Sequence, residues 1–231
     1  MGTLIGQTTR IDLSVSSVRD LNQALHQAAA GSVWQVVNPG GAHAIAAGLT
    51  QDLTVQIDGH VGYYAAGMNE LATVEISGNA GVGVAENMMS GRVHVAGSAS
   101  QSAGATAHGG LLVIDGNAAA RCGISMKGVD IVVGGNVGHM SAFMAQAGAL
   151  VICGDAGDGL GDSIYEAHLY VKGKVGGLGA DCVEKEVRPE HLAELSRLLA
   201  AAGRTEQPSE FRRYGSARQL YNFHVDNAFA Y

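Results

Sequence analysis

The sequence predicts an all-β protein whose body is a right-handed parallel β-helix of seven coils, each 19 residues long. Two observations support this prediction. One glycine recurs every 19 residues without insertion or deletion, and apolar residues occupy fixed positions on either side of it. A period this strict indicates a repeat architecture, in which each unit buries its apolar face only by stacking on its neighbours. The repeat glycines are Gly59, Gly78, Gly97, Gly116, Gly135, Gly154 and Gly173.

The residues before each repeat glycine are predicted to form a short strand. The positions four and two residues before the glycine are aliphatic in every copy, and the residue between them varies. This alternation is typical of a half-buried strand, with the aliphatic residues in the core and the variable residue outside. The outer residues are Gln56, Glu75, His94, Val113, Val132, Val151 and Tyr170. We expect an outer side chain such as Val113 to be exposed unless a partner covers that face.

The residues after each repeat glycine are small. The seventh residue after it is alanine or glycine in all seven copies. Small residues allow a coil to close around a narrow core, and glycine suits corners that need a positive φ or a close backbone approach. Stacked coils should lie roughly 4.8 Å apart, and parallel crossovers are right-handed in nearly all proteins.

Residues 1–36 are predicted to cap the N-terminal end of the β-helix. A short strand is expected at Ile11–Leu13. Ser17 and Asp20 have the spacing of a capping box, and apolar residues at helical spacing predict a helix from about Val18 to Ala30. The end of a β-helix exposes unpaired backbone groups, so a covering segment is needed there.

The β-helix itself is assigned to residues 37–184. A strand-like run at 33–37 precedes it, and Gly40 lies 19 residues before Gly59. This spacing indicates that a partial eighth coil precedes the seven complete ones.

Residues 185–231 follow the last coil and differ from it in composition. Pro189 suits the first position of a helix, and Gly203 ends the run about 14 residues later, a typical helix length. The leucines that share one face of this helix are Leu192, Leu195 and Leu199.

The tail after this helix carries aromatic rings interleaved with arginines. It could fold back over the open edge of the last coil, or it could anchor a partner subunit, since Tyr, Phe and Arg are enriched at interfaces. We favour the interface, and this interpretation predicts that a chain ended after Gly203 still folds. The predicted interface residues are Phe211, Arg212, Arg213, Tyr214, Arg218, Tyr221, Phe223, Phe229 and Tyr231.

Composition and charge disfavour several classes of partner. The net charge is −7 and basic residues do not cluster, so nucleic acid and anionic membranes are not expected partners. The sequence shows neither an apolar run long enough to span a membrane nor a signal-peptide pattern. We therefore expect a cytoplasmic protein.

Candidate chemical motifs in the repeat have structural explanations. The glycine-rich segment 78–83 lacks the following helix that a nucleotide-binding loop needs. The aspartates of 154–162 do not recur on successive coils, as calcium sites of this type require. Cys122, Cys153 and Cys182 lie in different columns, which argues against a shared metal site. We predict no catalytic, cofactor-binding or metal-binding residue in this chain.

The repeat resembles the GXGXG β-helix domain at the C-terminal end of the glutamate synthase large subunit, a domain that also forms one subunit of formylmethanofuran dehydrogenase. Nearly the whole chain is similar to the stand-alone, glutamate-synthase-like β-helix subunit of N-methylglutamate synthase, also called methylamine–glutamate N-methyltransferase. The segments that carry this closer resemblance are 59–64, 86–91, 138–146 and 214–223.

The resemblance implies a division of work among three chains. One partner would be a class II glutamine amidotransferase-like subunit. The other would be a glutamate synthase-like subunit that binds FMN and an iron–sulfur cluster. The β-helix would contribute a scaffold to an enzyme that converts methylamine and glutamate to N-methylglutamate and ammonia.

Two other functions remain open from the sequence. The chain could be the β-helix subunit of formylmethanofuran dehydrogenase or of an ammonia-assimilating glutamate synthase. It could also be a free-standing β-helix protein with a ligand groove along its coils.

Overall fold

The computed structural model describes residues 8–218, which form one eleven-stranded sheet and two α-helices. The strands are β1 Thr9–Asp12, β2 Val33–Val37, β3 Thr54–Asp58, β4 Thr73–Ile76, β5 Arg92–Val95, β6 Leu111–Ile114, β7 Lys127–Val133, β8 Ala147–Ile152, β9 His168–Val171, β10 Cys182–Lys185 and β11 Arg212–Ser216. The helices are α1 Val18–His26 and α2 Pro189–Ala201, and a 3-10 turn covers Pro208–Glu210. In the sheet, β1 to β9 follow chain order, and β11 lies between β9 and β10.

Strands β3 to β9 belong to seven stacked coils. Each strand pairs in parallel with the next, and paired residues lie 19 positions apart, as in the series Val74, Val93 and Leu112. Residues two positions after the repeat glycines form a second column of parallel bridges, from Val61 to Val175. The inward aliphatic residues of the strands are buried throughout. These contacts confirm the predicted all-β solenoid of seven 19-residue coils.

Strand β2 adds a further, irregular coil at the N-terminal end. Val36 pairs with Ile57, which lies 21 positions later rather than 19. The backbone N–H of Gly62 still donates to the Ala42 carbonyl, as at the equivalent position of the regular coils. Two extra residues therefore lie between β2 and Ala42, and the partial eighth coil is present with a wider corner.

Helix α1 closes this end of the solenoid. Ser17 Oγ accepts a hydrogen bond from the Asp20 backbone N–H at 3.1 Å, as the capping box predicts. Leu21 and Leu25 are fully buried against the first coil. The Asn22 side chain bonds the backbone of residues 44 and 46, so the helix satisfies polar groups that the end of the stack would otherwise leave open.

The repeat glycines are needed because successive coils approach closely. A Cβ atom added to Gly78 would lie 2.6 Å from the carbonyl carbon and oxygen of Gly59. Among the seven repeat glycines, only Gly59 has a positive φ, at 134°. Lack of space beside the preceding coil, rather than left-handed backbone, therefore explains most of this column.

The close approach makes Gly78→Ala a destabilising substitution. Because the nearest atoms belong to backbone, the coils must move apart, and we expect a loss of about 1–3 kcal/mol in the free energy of unfolding. Gly215→Ala is the matched control, since an added Cβ there meets its nearest atoms only at 3.8 Å. Denaturant unfolding of both variants tests this, and equal losses would contradict the explanation.

Helix α2 covers the outer face of the last four regular strands. The residues of this outer layer are Val113, Val132, Val151, Tyr170, Leu195, Leu198, Leu199 and Phe211. Val113 is only 1 % exposed, so the expectation that it is exposed is wrong, although it does face away from the solenoid core. The covering element belongs to the chain itself. The equivalent residues on β3 and β4, Gln56 and Glu75, are exposed.

Strand β11 closes the C-terminal end by running against the direction of the coils. Tyr214 pairs antiparallel with Leu169 of β9 on one side and with Glu184 of β10 on the other. Tyr214 is buried in the solenoid core, and Phe211 is buried in the outer layer under α2. Because β11 is part of the sheet, the expectation that a chain ended after Gly203 keeps its fold must be revised.

Candidate functional site

The described part of the tail covers the last coil. Arg212 Nη2 donates to the Gly173 carbonyl at 2.9 Å, and Arg218 Nη2 bonds Glu166 Oε2 at 2.9 Å. Phe211 and Tyr214 are almost fully buried. Tyr221, Phe223, Phe229 and Tyr231 lie outside the described residues. The edge-covering alternative is thus observed for residues 211–216, and the partner interface stays a prediction.

The tail also lines a pocket of about 340 Å³ at the C-terminal end of the solenoid, which we name the C-terminal pocket. It lies where β9, β10, β11 and the start of α2 meet. Its ionisable side chains are Tyr165, Glu166, His168, Lys185, Glu186, Arg188, His191, Arg213 and Arg218. Two of the predicted interface arginines therefore face this pocket.

A hydrogen-bonded network connects the pocket to the outer layer. His168 Nδ1 donates to Glu194 Oε2 at 2.8 Å, and the Tyr170 hydroxyl donates to the same oxygen at 2.5 Å. The bond from His168 is the main cause that lowers the pKa of Glu194, and the Tyr170 bond adds to it. Burial, with the bond to Glu194, raises the pKa of Tyr170. Glu194 is therefore a carboxylate and Tyr170 a neutral donor at neutral pH.

His191 is held in one tautomer. Its Nδ1 accepts a hydrogen bond from the Arg188 backbone N–H at 3.0 Å. Burial, followed by the positive charge of Arg213, lowers the pKa of His191 below its ordinary value. The ring is thus neutral at pH 7, and its Nε2 carries the remaining hydrogen. His191 is a hydrogen-bond donor at the pocket wall.

Arg213 supplies the charge nearest to this donor. Its Nε atom is buried, and no acceptor among residues 8–218 reaches it. Buried polar groups in folded proteins nearly always have a partner, and the exceptions often mark a ligand site or a bound water.

The cysteines are unsuited to nucleophilic chemistry. Burial raises the pKa of Cys122 and of Cys182 to about 12 in each case, and that of Cys153 to about 11. Because the thiolate is the reactive form, these thiols are inert at neutral pH. Within residues 8–218, no cluster of three or more His, Cys, Asp or Glu side chains has the arrangement of a metal site.

A polar ladder runs along the solenoid at the position after each repeat glycine. Each side chain accepts a hydrogen bond from the backbone N–H of the equivalent residue one coil later, as Asn117 Oδ1 does from Asn136 at 2.7 Å. The accepting residues are His60, Asn79, Ser98, Asn117, Asn136 and Asp155. Asn and Asp recur in this column, a signal that the sequence analysis missed. The ladder serves stacking rather than chemistry.

The first two complete coils carry an exposed apolar surface, which we name the N-terminal apolar surface. Its residues are Tyr63, Met68, Leu71, Val82 and Met89, which are between 47 % and 54 % exposed. They lie on the corners of the coils, away from the strand face that α2 covers. Later coils place polar residues at equivalent positions, as Gln101 follows Val82 and Asn87 follows Met68. The coil geometry therefore does not require apolar residues here.

No family model matches the chain. None of the helices within residues 8–218 has the length and apolar character needed to cross a membrane. The fold and the pocket define a β-solenoid protein with a closed end on each side. Protein GlxC of Rhizobium meliloti (strain 1021) is 60 % identical over 225 residues, which cover 96 % of this chain and 99 % of that protein. The chain belongs to the GlxC family.

Proposed function

We propose that the chain is a non-catalytic scaffold subunit of a glutamate-synthase-like complex in the cytoplasm. The complex makes N-methylglutamate and ammonia from methylamine and glutamate. Its other members are a class II glutamine amidotransferase-like subunit and a glutamate synthase-like subunit that holds FMN and an iron–sulfur cluster. The resemblance of segments 59–64, 86–91 and 138–146 to the β-helix subunit of N-methylglutamate synthase supports this assignment.

The observation that carries the scaffold role is the N-terminal apolar surface. Soluble proteins rarely leave several large apolar side chains together on their surface, and such patches mark sites of association. Tyr63 belongs to it, and tyrosine is a frequent anchor residue at interfaces. We assign this surface to contact with the FMN-binding partner. The contribution of residues 219–231 to assembly stays part of the same proposal.

Affinity purification of the tagged full-length chain from its own host tests the function. We expect two further chains to co-purify, together with the absorbance of flavin and of an iron–sulfur cluster. The complex should form N-methylglutamate from methylamine and glutamate, and the chain alone should not. A molybdopterin-bearing partner would indicate the formylmethanofuran dehydrogenase alternative. A chain that purifies alone would contradict the scaffold role.

Val82→Glu tests the assigned surface, with Gln101→Glu as its matched control at the equivalent position of the next coil. A charge in the centre of an apolar interface should reduce partner recovery about tenfold or more, while the control should leave recovery unchanged. Thermal unfolding of both isolated variants should match the unmodified chain. Equal recovery with both variants would place the interface elsewhere.

A further inference from the structure

The C-terminal pocket is positively charged although the chain is acidic. The chain has a net charge of −7, yet four Lys and Arg side chains face two carboxylates in this pocket. Both carboxylates are already bonded to an arginine of the rim, Glu166 to Arg218 and Glu186 to Arg188. The positive charges that remain have no ion pair among the described residues, and they are those of Lys185 and Arg213.

The position of Arg213 makes this charge specific to the pocket. The residue lies on β11, between β9 and β10, and its backbone is fixed by pairing with Tyr170 and Lys185. Its buried Nε finds no acceptor within residues 8–218. Leaving a buried charged donor unpaired costs free energy. An acceptor inside the pocket would remove that cost, and the guanidinium fork suits an oxygen pair.

Donors from the start of α2 converge on the same space. His191 Nδ1 is occupied by the Arg188 backbone N–H, which leaves Nε2–H as a donor at the pocket wall. The positive end of the α2 dipole also lies there, since Arg188 caps this helix and lines the pocket. Helix N-termini favour anions. Together with Arg213, these groups present donors and positive charge around one small volume.

We propose that the C-terminal pocket binds a small oxyanion, a carboxylate or phosphate group, through Arg213, with Lys185 and His191 as additional donors. The pocket is the size of a small-molecule site. This inference is independent of the scaffold function, because the residues involved lie at the opposite end of the solenoid from the N-terminal apolar surface.

Isothermal titration of the full-length chain with inorganic phosphate and with succinate, in buffers of equal ionic strength, tests the proposal. We expect saturable binding of at least one probe, and the tighter one identifies the class of ligand. Arg213→Gln should weaken binding about a hundredfold and Lys185→Gln about tenfold, as loss of charge-assisted hydrogen bonds does. If neither probe binds saturably, the proposal is wrong.

The matched control is Arg212→Gln, which removes the same charge from the neighbouring residue of β11. Arg212 bonds the Gly173 carbonyl and does not line the pocket, so binding should persist. Equal weakening by both arginine variants would show general attraction of anions and would overturn the proposal. If Arg213→Gln does not fold, the Lys185→Gln variant decides, because Lys185 is held by no ion pair among the described residues. Unchanged affinity in that variant would then contradict the site.

Discussion

A chain ended after Gly203 should lose much of its stability and aggregate. The truncation removes β11, which pairs with β9 and β10 at once, so the last coil is left with an open edge that invites association. It also removes Phe211 and Tyr214, which are 5 % and 2 % exposed. Deleting one buried aromatic side chain costs about 3–5 kcal/mol, and two such losses approach the whole stability of a typical domain.

A second truncation, after Arg218, separates the strand from the residues that follow it. Both chains should be compared by size-exclusion chromatography and by thermal unfolding. The difference between them measures what residues 204–218 contribute. If the chain ended after Gly203 remains monomeric and unfolds at the temperature of the longer one, β11 is not the element that closes the stack.

Insertion of one glycine between Val74 and Glu75 should prevent the coil from forming. A shift of one residue reverses every later side chain of a strand. In β4 this brings the Glu75 carboxylate into the core and turns Ile76 outward, although Ile76 is 1 % exposed in the intact fold. Burying an unpaired carboxylate costs several kcal/mol or forces the strand out of the sheet. We expect loss of the cooperative unfolding transition.

The same glycine inserted between Glu70 and Leu71 is the control. Both residues are exposed, and they lie in the segment that leads into β4. The structure accepts a register shift in the equivalent segment of a later coil, between Lys127 and Asp130. We therefore expect a local bulge and a far smaller loss of stability. Denaturant titration followed by circular dichroism compares the two variants, and similar midpoints would contradict the proposed register.

The solenoid could be predicted from the sequence because its rules are local and repeated. Each coil presents the same apolar columns, so seven copies give the same information seven times. The partial eighth coil was predicted from the spacing of Gly40 alone, and the two extra residues in its corner were not. An insertion is invisible to a fixed period until the pairing of β2 with β3 is known.

The ends of the molecule were harder to predict, because they depend on packing between distant segments. The outer column changes from Gln56, Glu75 and His94 to Val113, Val132, Val151 and Tyr170. That change signals a covered face, but it does not say that α2 covers it. In the tail, alternate residues of a short strand face two different cores, and the sequence analysis interpreted this alternation of arginine and aromatic residues as a partner surface.

The C-terminal pocket could not be predicted because its walls come from β9, β10, β11 and α2, which meet only through the antiparallel insertion of β11. One local signal existed. His168 and Tyr170 interrupt columns that hold Ala149 and Val151 one coil earlier. A polar pair at positions that are apolar in the preceding coil indicates a change of role, which a search for known catalytic motifs does not detect.

The fixed rise per coil also makes the solenoid a ruler. The coil of β3, which carries Tyr63, is separated from the coil of β9 by six stacking steps, or about 29 Å at the usual strand spacing of about 4.8 Å. Because each step contributes the same length, the separation between the N-terminal apolar surface and the C-terminal pocket is counted in whole coils. A gain or loss of one 19-residue unit would change that span in a single discrete increment, whereas point substitutions would leave it unaltered.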